Sequence, residues 1–305
     1  MAFTLGLHRE STYGKLTAED AEEKRRRFWL LFVTERGYAL QQAKPVMLRN
    51  SINKSQVLYS DDPILAYGFI NPINVFEKLS VNLYDWVSAG GGASPGDGNI
   101  LPESSIQSSL AKQESLDGVS EIQRVDILIT QQWLQAMMWK LSMTHANQPG
   151  SRDDTVLHFH LPILVGNAVM GVIGAASQGA VDAHGIGMEQ KLYDLGASVA
   201  DVSRSLSTKA ARRLAESVVN PRQLLWGILT TLSRIRGSQS YLFSPLVKQC
   251  RGILSFDCTL SICEILPPFT ATAPASISWR PECLVSICLT CRKISRSRKM
   301  SLGNL

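Results

Sequence analysis

The stretch EEKRRRFWLLFVTERGYALQ, Glu22–Gln41, sets six charged residues directly against six apolar ones. Just upstream, Thr17 followed by Asp20 has the spacing of a helix-capping box, with Asp in place of the usual Glu. Downstream, Pro45 disfavours helix in the residues ahead of it. The pattern therefore predicts a single helix over Ala18–Gln42.

Three explanations fit this helix: a membrane contact, a nucleic-acid contact, or the buried spine of a helical domain. Its apolar residues recur at three- and four-residue spacing and also cover much of the remaining surface: Phe28, Trp29, Leu30, Leu31, Phe32, Val33, Tyr38 and Ala39. An apolar belt this wide indicates burial on most sides. We therefore expect a buried helix, with the stems of the basic trio Arg25–Arg27 lying over apolar neighbours.

The net charge of +5 comes from one end of the chain. Residues 284–305 carry five basic residues and no acid, so residues 1–283 are neutral overall (5 − 5 = 0). A neutral body lacks the excess positive charge with which a protein neutralises DNA phosphates. The basic run RKISRSRK, Arg292–Lys299, is either a nuclear-import patch or a solvated terminus.

No membrane span is expected. The longest mainly apolar stretch, LPILVGNAVMGVIGAA, has sixteen residues (Leu161–Ala176) and contains Asn167 and three glycines. A helix that crosses a bilayer needs roughly twenty apolar residues.

The chain divides by composition into four parts. Residues 1–87 form a first helical part, and Met1–Leu7 at its start also reads as helical. Residues 88–120, rich in Gly, Pro and Ser, predict a flexible linker. Helical periodicity resumes over residues 121–249, whereas residues 250–305 predict an irregular, Cys-rich and basic tail. The predicted fold class is all-α: a multi-helix domain with an internal linker and an irregular C-terminal tail.

Two apolar stripes support this class. In the first, apolar residues recur at spacings of 3, 4, 4 and 3: Ile122, Val125, Ile129, Trp133 and Ala136. In the second, they recur at spacings of 4, 3, 4, 3 and 4: Met188, Leu192, Leu195, Val199, Val202 and Leu206. Further on, Asn220 and Pro221 supply an N-cap and a first-turn proline for another helix.

Candidate catalytic residues are few. His158, His160, Asp182, His184 and Glu189 lie near enough in sequence to assemble a metal or acid–base site. We favour the alternative that His184 caps a helix or bonds a backbone carbonyl. The stretch GGGASPGDG lacks the Lys-Ser/Thr ending of a phosphate-binding loop, and AASQG lacks the first glycine of a nucleophile elbow. We therefore expect no enzymatic activity.

All six cysteines lie at or after residue 250, spaced C-x7-C-x4-C-x19-C-x4-C-x2-C. A binuclear zinc cluster needs six thiolates at roughly C-x2-C-x6-C, twice over. The interval between Cys288 and Cys291 is the sole one of metal-binding type. The sequence therefore predicts no metal site and no cofactor in this chain.

A family resemblance is carried by several blocks in order. The first is LGLHRE…AEEKRRRFWLLFVTERGYALQQAKPVMLRNSI; the later ones are LHFHLPI, AHGIGMEQKLYDLGASVADV and NPRQLLWGILTTLSRIRGSQS. Over about residues 1–249 the chain resembles the regulatory middle region of fungal zinc-cluster transcription factors, in the subgroup of starch/maltose- and quinate-utilisation activators. Its core positions, called the family motif below, are Arg27, Phe28, Trp29, Phe32, Glu35 and Arg36.

The resemblance implies a nuclear regulatory domain that controls carbon-source utilisation genes. It implies that Arg36 or the basic trio pairs with carboxylates. Zinc and DNA contact belong, in full-length relatives, to a cluster with no counterpart in this sequence, so DNA would be reached through a missing module or a partner. A homodimer, or a heterodimer with a related regulator, is the expected partnership. A fragment of such a regulator would instead pair with a full-length relative through the Met188–Leu206 stripe, or fail to fold. The alternative function is a truncated, non-functional or dominant-interfering fragment of such a regulator.

Overall fold

The computed structural model describes residues 2–54, 63–90, 103–112, 116–145, 160–205, 220–235 and 240–254. Within these ranges there are ten α-helices, one 3-10 helix and no β-strand, apart from an isolated bridge between Arg251 and Leu254. The predicted all-α class is confirmed. None of the described helices combines the length and the apolar run that crossing a bilayer requires.

The helices are numbered in chain order. They are η1 (Glu10–Lys15), α1 (Ala18–Gln42), α2 (Pro63–Glu77), α3 (Val81–Ser88), α4 (Glu103–Ala111), α5 (Glu121–His145), α6 (Leu161–Ala175), α7 (Gln178–Asp182), α8 (Gly185–Ser205), α9 (Pro221–Arg234) and α10 (Phe243–Cys250).

Helix α1 has the predicted bounds and the predicted cap. The Thr17 hydroxyl accepts a hydrogen bond from the backbone N–H of Asp20 (3.2 Å) and donates one to its carboxylate (2.9 Å). At the other end, Ala43 has a left-handed backbone (φ +50°), and the N–H of Lys44 bonds the carbonyl of Ala39 (2.9 Å). This left-handed cap satisfies a terminal carbonyl and turns the chain away from the helix axis.

The chain forms two compact units. The first contains the described residues up to Ile127, together with residues 141–145. The second contains Leu128–Lys140 and the described residues from His160 onward. Helix α5 therefore supplies residues to both units.

In the first unit, α1 packs against α2 and α3. Phe28, Trp29, Phe32 and Val33 are all at most 2% exposed, whereas Leu30 and Leu31 are partly exposed. Burying side chains of this size stabilises a fold by about 1.5–3 kcal/mol each relative to leaving them in water. The expectation of a buried α1 is confirmed.

In the second unit, α8 packs against α6, α7, α9 and α10. Every described member of its apolar stripe is buried: Met188, Leu192, Leu195, Val199 and Val202. The described part of the stripe is therefore core, because these side chains are covered within the unit, and pairing of two chains through it stays a prediction. The last residue of the stripe, Leu206, lies outside the described residues.

The predicted linker needs correction over part of its length. Helix α3 runs to Ser88, and α4 occupies Glu103–Ala111, with Ile106 and Leu110 buried. Their four-residue spacing gives the Ser-rich α4 an apolar face, which the overall composition concealed. The linker prediction for residues 91–102 and 113–115 falls outside the described residues.

The two ends of the described chain also differ from expectation. Residues Ala2–His8 form turns rather than a helix, because Gly6 has a φ of +66°, and η1 follows them. At the other end, Ile253 and Leu254 are buried, so the first residues of the predicted tail belong to the second unit. Residues 255–305 lie outside the described residues.

Candidate functional site

The family motif lies where α1 meets the segment that follows it. Beyond Ala43 the chain runs back along α1 as an irregular stretch, residues 44–54. The two carboxylate oxygens of Glu35 accept hydrogen bonds from the backbone N–H groups of Met47 and Leu48, both at 2.9 Å. Glu35 therefore satisfies two donors for which an irregular segment has no helical or strand partner.

Arg36 fastens the same segment from inside the unit. It is 3% exposed, and its Nη1 donates a hydrogen bond to the carbonyl of Leu48 (3.2 Å). The guanidinium carbon lies 3.3 Å from the centre of the Phe32 ring and 5.7 Å from that of Tyr84. Stacking on an aromatic face compensates a buried cation for part of its lost hydration.

Charges of both signs act on Arg36. Burial lowers the pKa of its guanidinium; Tyr84 and the carboxylates of Glu35 and Glu77 oppose that shift, while Arg49 adds to it. The Tyr84 phenol is itself buried, which raises its pKa. The site therefore holds a charged Arg36 beside a neutral tyrosine.

Trp29 holds the far end of the 44–54 segment. Its indole N–H donates a hydrogen bond to the carbonyl of Asn53 (3.1 Å). Its ring meets those of Phe28 and Phe32 edge to face, with centroids 5.5 and 4.8 Å apart. Aromatic pairs with this geometry contribute about 0.5–1.5 kcal/mol beyond the area that they bury.

Residues before α1 hold the segment as well. Glu10 forms an ion pair with Arg25 and accepts a hydrogen bond from the backbone N–H of Asn53 (2.9 Å). The Ser51 hydroxyl donates to the carbonyl of His8 (2.8 Å). The hydrogen bond between Ser51 and His8 thus joins two parts of the first resemblance block that lie far apart in sequence, LGLHR (residues 5–9) and SI (residues 51–52).

Arg25 also lies over the ring of Tyr13, 4.4 Å from its centre. The Tyr13 hydroxyl donates to the carbonyl of Leu7 (2.6 Å), and the side chain is buried. Burial raises the pKa of Tyr13 to about 12, although the charge of Arg25 acts in the opposite direction. The N-terminal turn is therefore anchored by a neutral tyrosine.

At its last described residue the segment reaches α2. The Lys54 ammonium pairs with Glu77 (2.6 Å) and donates to the side-chain oxygen of Asn74 (2.7 Å). Together these bonds attach residues 44–54 to η1, α1 and α2. The role that these contacts support is to hold the segment in place, because they satisfy its backbone groups.

The predicted site residues have different surroundings. Phe28, Trp29, Phe32 and Arg36 are buried, and Glu35 is partly buried. Arg27 is exposed and pairs with Glu23 one turn earlier on α1. Any regulatory role for these six residues stays a prediction.

The expected pairing of Arg36 or the basic trio with carboxylates holds for Arg25 and Arg27. Arg36 instead donates a hydrogen bond to the carbonyl of Leu48 and lies against the rings of Phe32 and Tyr84. Sequence reasoning missed four residues of this site: Glu10, Asn53, Lys54 and Tyr84. Glu10 directly follows LGLHR and could have been suspected; nothing in the sequence marks Tyr84.

The histidine and carboxylate candidates lie in the second unit. His184 and Glu189 are buried around the start of α8, and Asp182 ends α7. His160 precedes α6 but makes no side-chain cap bond to that helix, and His158 lies outside the described residues. Within the described ranges, no group of three His, Cys, Asp or Glu side chains is arranged to hold a metal.

The residues that the structure describes therefore do not fit a zinc cluster. Cys250 is the one cysteine among them, and it is buried. The other five lie after residue 254 and outside the described ranges. Two charged side chains of α8 hydrogen-bond neutral residues of α5 within the second unit: Asp194 accepts from the Trp133 indole (3.0 Å), and Lys191 donates to the Thr130 hydroxyl (2.6 Å).

Comparison with curated proteins finds relatives among fungal regulators. The chain is 28% identical over 204 residues to the probable sucrose utilization protein of Candida albicans, covering 66% of this chain and 40% of the relative. It is 26% identical over 205 residues to the maltose fermentation regulatory protein MAL13 of Saccharomyces cerevisiae, covering 65% and 41%. A second protein of that name and organism, MAL63, is 22% identical over 261 residues, covering 82% and 51%.

The resemblance drawn from the sequence blocks is thereby confirmed. The chain spans 40–51% of the length of these relatives. No family model matches the chain, and no solved structure matches it.

Proposed function

We propose that this chain, a homologue of fungal regulators of maltose and sucrose utilisation, is the regulatory region of a transcription factor for sugar-utilisation genes. The observation that carries the proposal is the similarity to such regulators over 204–261 residues. Their names describe regulation and utilisation rather than catalysis, which supports a non-enzymatic role here. By the same reasoning we place its action in the nucleus.

The charge distribution supports control rather than DNA contact. Residues 1–283 are neutral overall, whereas DNA affinity rises with the number of phosphates that Lys and Arg neutralise. We propose that DNA is contacted by a zinc-cluster module of a longer polypeptide or of a partner. Pairing with a second copy or with a related regulator is part of the same proposal.

A helical domain can regulate if an effector binds one of its two arrangements more tightly. A tenfold difference in affinity corresponds to about 1.4 kcal/mol, and reversing a 1:99 population needs about 5.5 kcal/mol. The 44–54 segment is a suitable two-state element: side chains from three helices fasten it, and it has no helical hydrogen bonds of its own. Releasing it would expose buried Val46, Leu48 and Ile52.

A reporter fusion tests the proposal. The full chain is placed between a DNA-binding domain of known specificity and a constitutive activation domain, and yeast carrying the fusion is grown on glucose, maltose, sucrose or glycerol. We expect reporter output to change with the sugar. The control fusion, which lacks the chain, should respond equally on all four carbon sources.

Glu35→Gln and Glu23→Gln provide a matched pair of variants in the same fusion. Glu35 holds the 44–54 segment, whereas Glu23 pairs with exposed Arg27 on the surface of α1. We expect Glu35→Gln to weaken the sugar response and Glu23→Gln to preserve it at equal protein level. Output that is the same on every carbon source, for a fusion shown to be folded and nuclear, would contradict the proposal.

A further inference from the structure

The 44–54 segment has an outer side as well as the inner side that holds it to α1. Its side chains alternate from Val46 to Arg49: Val46 and Leu48 are buried, whereas Met47 and Arg49 are exposed. A period of two residues is that of an extended chain, in which successive side chains point to opposite sides. Met47 and Arg49 therefore share the outer side.

Met47 is the most exposed large apolar side chain among the described residues. Its exposed fraction is 66%. Methionine has a flexible, polarisable side chain that adapts to different apolar partners, and it is over-used at binding surfaces. A single exposed apolar residue is ordinary, so the argument also depends on the neighbours of Met47.

Tyr38 extends the exposed apolar area onto α1, and it is 43% exposed. The segment is attached to this helix through the Lys44 N–H, which bonds the Ala39 carbonyl, and through the Met47 N–H, which bonds Glu35. Positions 35, 38 and 39 are neighbours on one side of a helix. Tyr38 therefore lies beside the two points of attachment, and its amphipathic ring is of a type that is enriched at protein interfaces.

The free charges on this surface are positive. Residues 43–54 contain three basic residues and no acid. Lys54 is paired with Glu77, whereas Lys44 and Arg49 are exposed. The surface therefore combines apolar side chains with two cations that attract negative charge.

An anion outside Arg49 would also relieve a repulsion within the unit. Arg49 donates a hydrogen bond to the carbonyl of Val46 (3.1 Å), which keeps its charge beside the segment. That charge lowers the pKa of Arg36, so the two cations repel each other. A carboxylate next to Arg49 would offset this repulsion.

A protein partner suits the surface better than DNA. DNA affinity grows with the number of phosphates that Lys and Arg neutralise, and two exposed cations supply few such contacts. The phosphate backbone also offers nothing apolar to cover Met47 and Tyr38. A peptide with both carboxylates and apolar side chains satisfies the two features together.

We propose that this surface docks an acidic segment of a partner protein, one that carries apolar side chains between its carboxylates. The docking residues are Tyr38, Lys44, Met47 and Arg49. Docking requires the segment in its held position, because the bonds from Glu35 and Arg36 set which side chains face outward. The proposal rests on the proposed function, in which the 44–54 segment is the two-state element, and it names the kind of partner that would sense it.

Peptide binding to the full chain tests the proposal by fluorescence anisotropy. The probe is a short labelled peptide in which Asp alternates with Leu and Phe. One control peptide has Lys in place of Asp, and a second has Ala in place of Leu and Phe. We expect the probe to bind at least about ten-fold more tightly than either control. No saturable binding of the probe below about 1 mM would overturn the proposal.

Two pairs of variants locate the contact. Met47→Ala and Arg49→Gln should each weaken binding of the probe about ten-fold. Their matched controls are Leu5→Ala, also exposed, and Arg124→Gln, which is exposed and likewise donates to a backbone carbonyl (3.3 Å). All four changes are at exposed positions and should leave the fold intact. Equal affinity in all four variants would overturn the docking surface.

Glu35→Gln tests whether the segment must be held. The change removes a negative charge, which by itself would tighten the binding of an acidic peptide. It also weakens the attachment at Met47 and Leu48, so we expect weaker binding. Tighter binding would refute the dependence on the held segment.

Labelled duplex DNA of mixed sequence tests the rival ligand. We expect the chain to bind it more weakly than the acidic peptide. Tighter binding to DNA that is lost in Arg49→Gln would overturn the proposal. These titrations use purified chain without a reporter, so a failure of docking leaves the sugar response to be judged separately, and a reporter that ignores sugar does not change the measured affinity.

Discussion

Trp29 donates its indole N–H to the backbone carbonyl of Asn53, 24 residues later in the chain, at 3.1 Å. Glu35 and Arg36 hold the same segment two turns further along α1. These hydrogen bonds of the three side chains reach backbone atoms, while Trp29 and Arg36 also pack on the ring of Phe32. The order of residues in the family motif therefore reflects how the irregular 44–54 segment is held against α1.

Replacing Trp29 should strongly destabilise the first unit. Trp29→Ala leaves a cavity beside Phe28 and Phe32 and an unsatisfied carbonyl at Asn53. We expect a loss of about 3–5 kcal/mol in the free energy of unfolding, measured by urea titration and circular dichroism. Tyr38→Ala, on the exposed side of the same helix, serves as the control and should lose less than about 1 kcal/mol. Equal losses in the two variants would contradict the burial of Trp29.

Replacing Glu35 should loosen the 44–54 segment. Glu35→Gln keeps one acceptor oxygen but sets an amide NH2 against a backbone N–H, so one of two bonds is lost. We expect a loss of about 1–3 kcal/mol and faster hydrogen exchange at Met47 and Leu48. The amide of Asn53, which Glu10 holds, should change less. Unchanged exchange at Met47 and Leu48 would show that Glu35 does not hold them.

Two glycines should respond to alanine in opposite directions. A Cβ on Gly196 of α8 would lie 2.8 Å from Leu246 Cδ2 and 3.3 Å from Ile228 Cγ2, whereas one on Gly171 of α6 would meet nothing within 4 Å. We expect Gly196→Ala to destabilise by about 1–3 kcal/mol through overpacking.

Gly171→Ala should instead stabilise by about 0.5–1 kcal/mol, because alanine restricts the unfolded chain and favours helix. Thermal unfolding of both variants beside wild type measures the two effects. A stabilising Gly196→Ala would show that α8 and α10 do not approach closely.

High pH should remove a contribution of Tyr13 to stability. Burial raises its pKa to about 12 from an ordinary value of 10.0, so the unfolded chain loses this proton at lower pH than the folded chain. The contribution is complete below pH 10.0 and is lost as the pH rises towards about 12.

The urea midpoint of wild type should therefore fall more steeply than that of Tyr13→Phe over this range. Tyr84, whose pKa burial also raises, is present in both proteins and cancels in the comparison. Parallel midpoint curves would argue against a buried Tyr13.

Cys250 should resist alkylation in the folded protein. Its side chain is fully buried, and burial raises the pKa of the thiol to about 11, so little of the reactive thiolate forms near neutral pH. Mass mapping after iodoacetamide treatment should show little label on Cys250 in native protein and complete label in concentrated urea. Equal labelling rates in the two conditions would contradict the packing of α10 on α8.

Local sequence signals were enough to place four of the ten described α-helices: α1, α5, α8 and α9. Thr17 and Asp20 marked the start of α1, Asn220 and Pro221 that of α9, and the stripe from Met188 predicted the buried face of α8. Each is a short-range effect: a side chain that caps a free N–H, or an apolar period that matches the helical turn. Because caps and apolar periods involve residues only a few positions apart, they can be recognised from the sequence alone.

Other features depended on which distant residues meet. Helix α4 lies in a stretch whose Ser, Gly and Pro content predicted a linker, and Ile106 and Leu110 are buried in the first unit. Composition reports average polarity, whereas burial is decided by whether a second surface is present to cover two side chains. The Ala2–His8 turns depend in the same way on Gly6 taking a positive φ, which a helix-forming composition does not exclude.

The sequence by itself determined the helical class, the bounds of α1 and the blocks by which the chain resembles fungal regulators. Only the tertiary structure decided what those residues touch: Arg36 binds a carbonyl and stacks on a ring instead of meeting a carboxylate, and Glu10 joins Asn53 43 residues away. Spacing along a chain fixes which side chains share a helix face. Partners that come from separate segments are fixed by how those faces pack, because hydrogen bonds and ion pairs form only at contact distance.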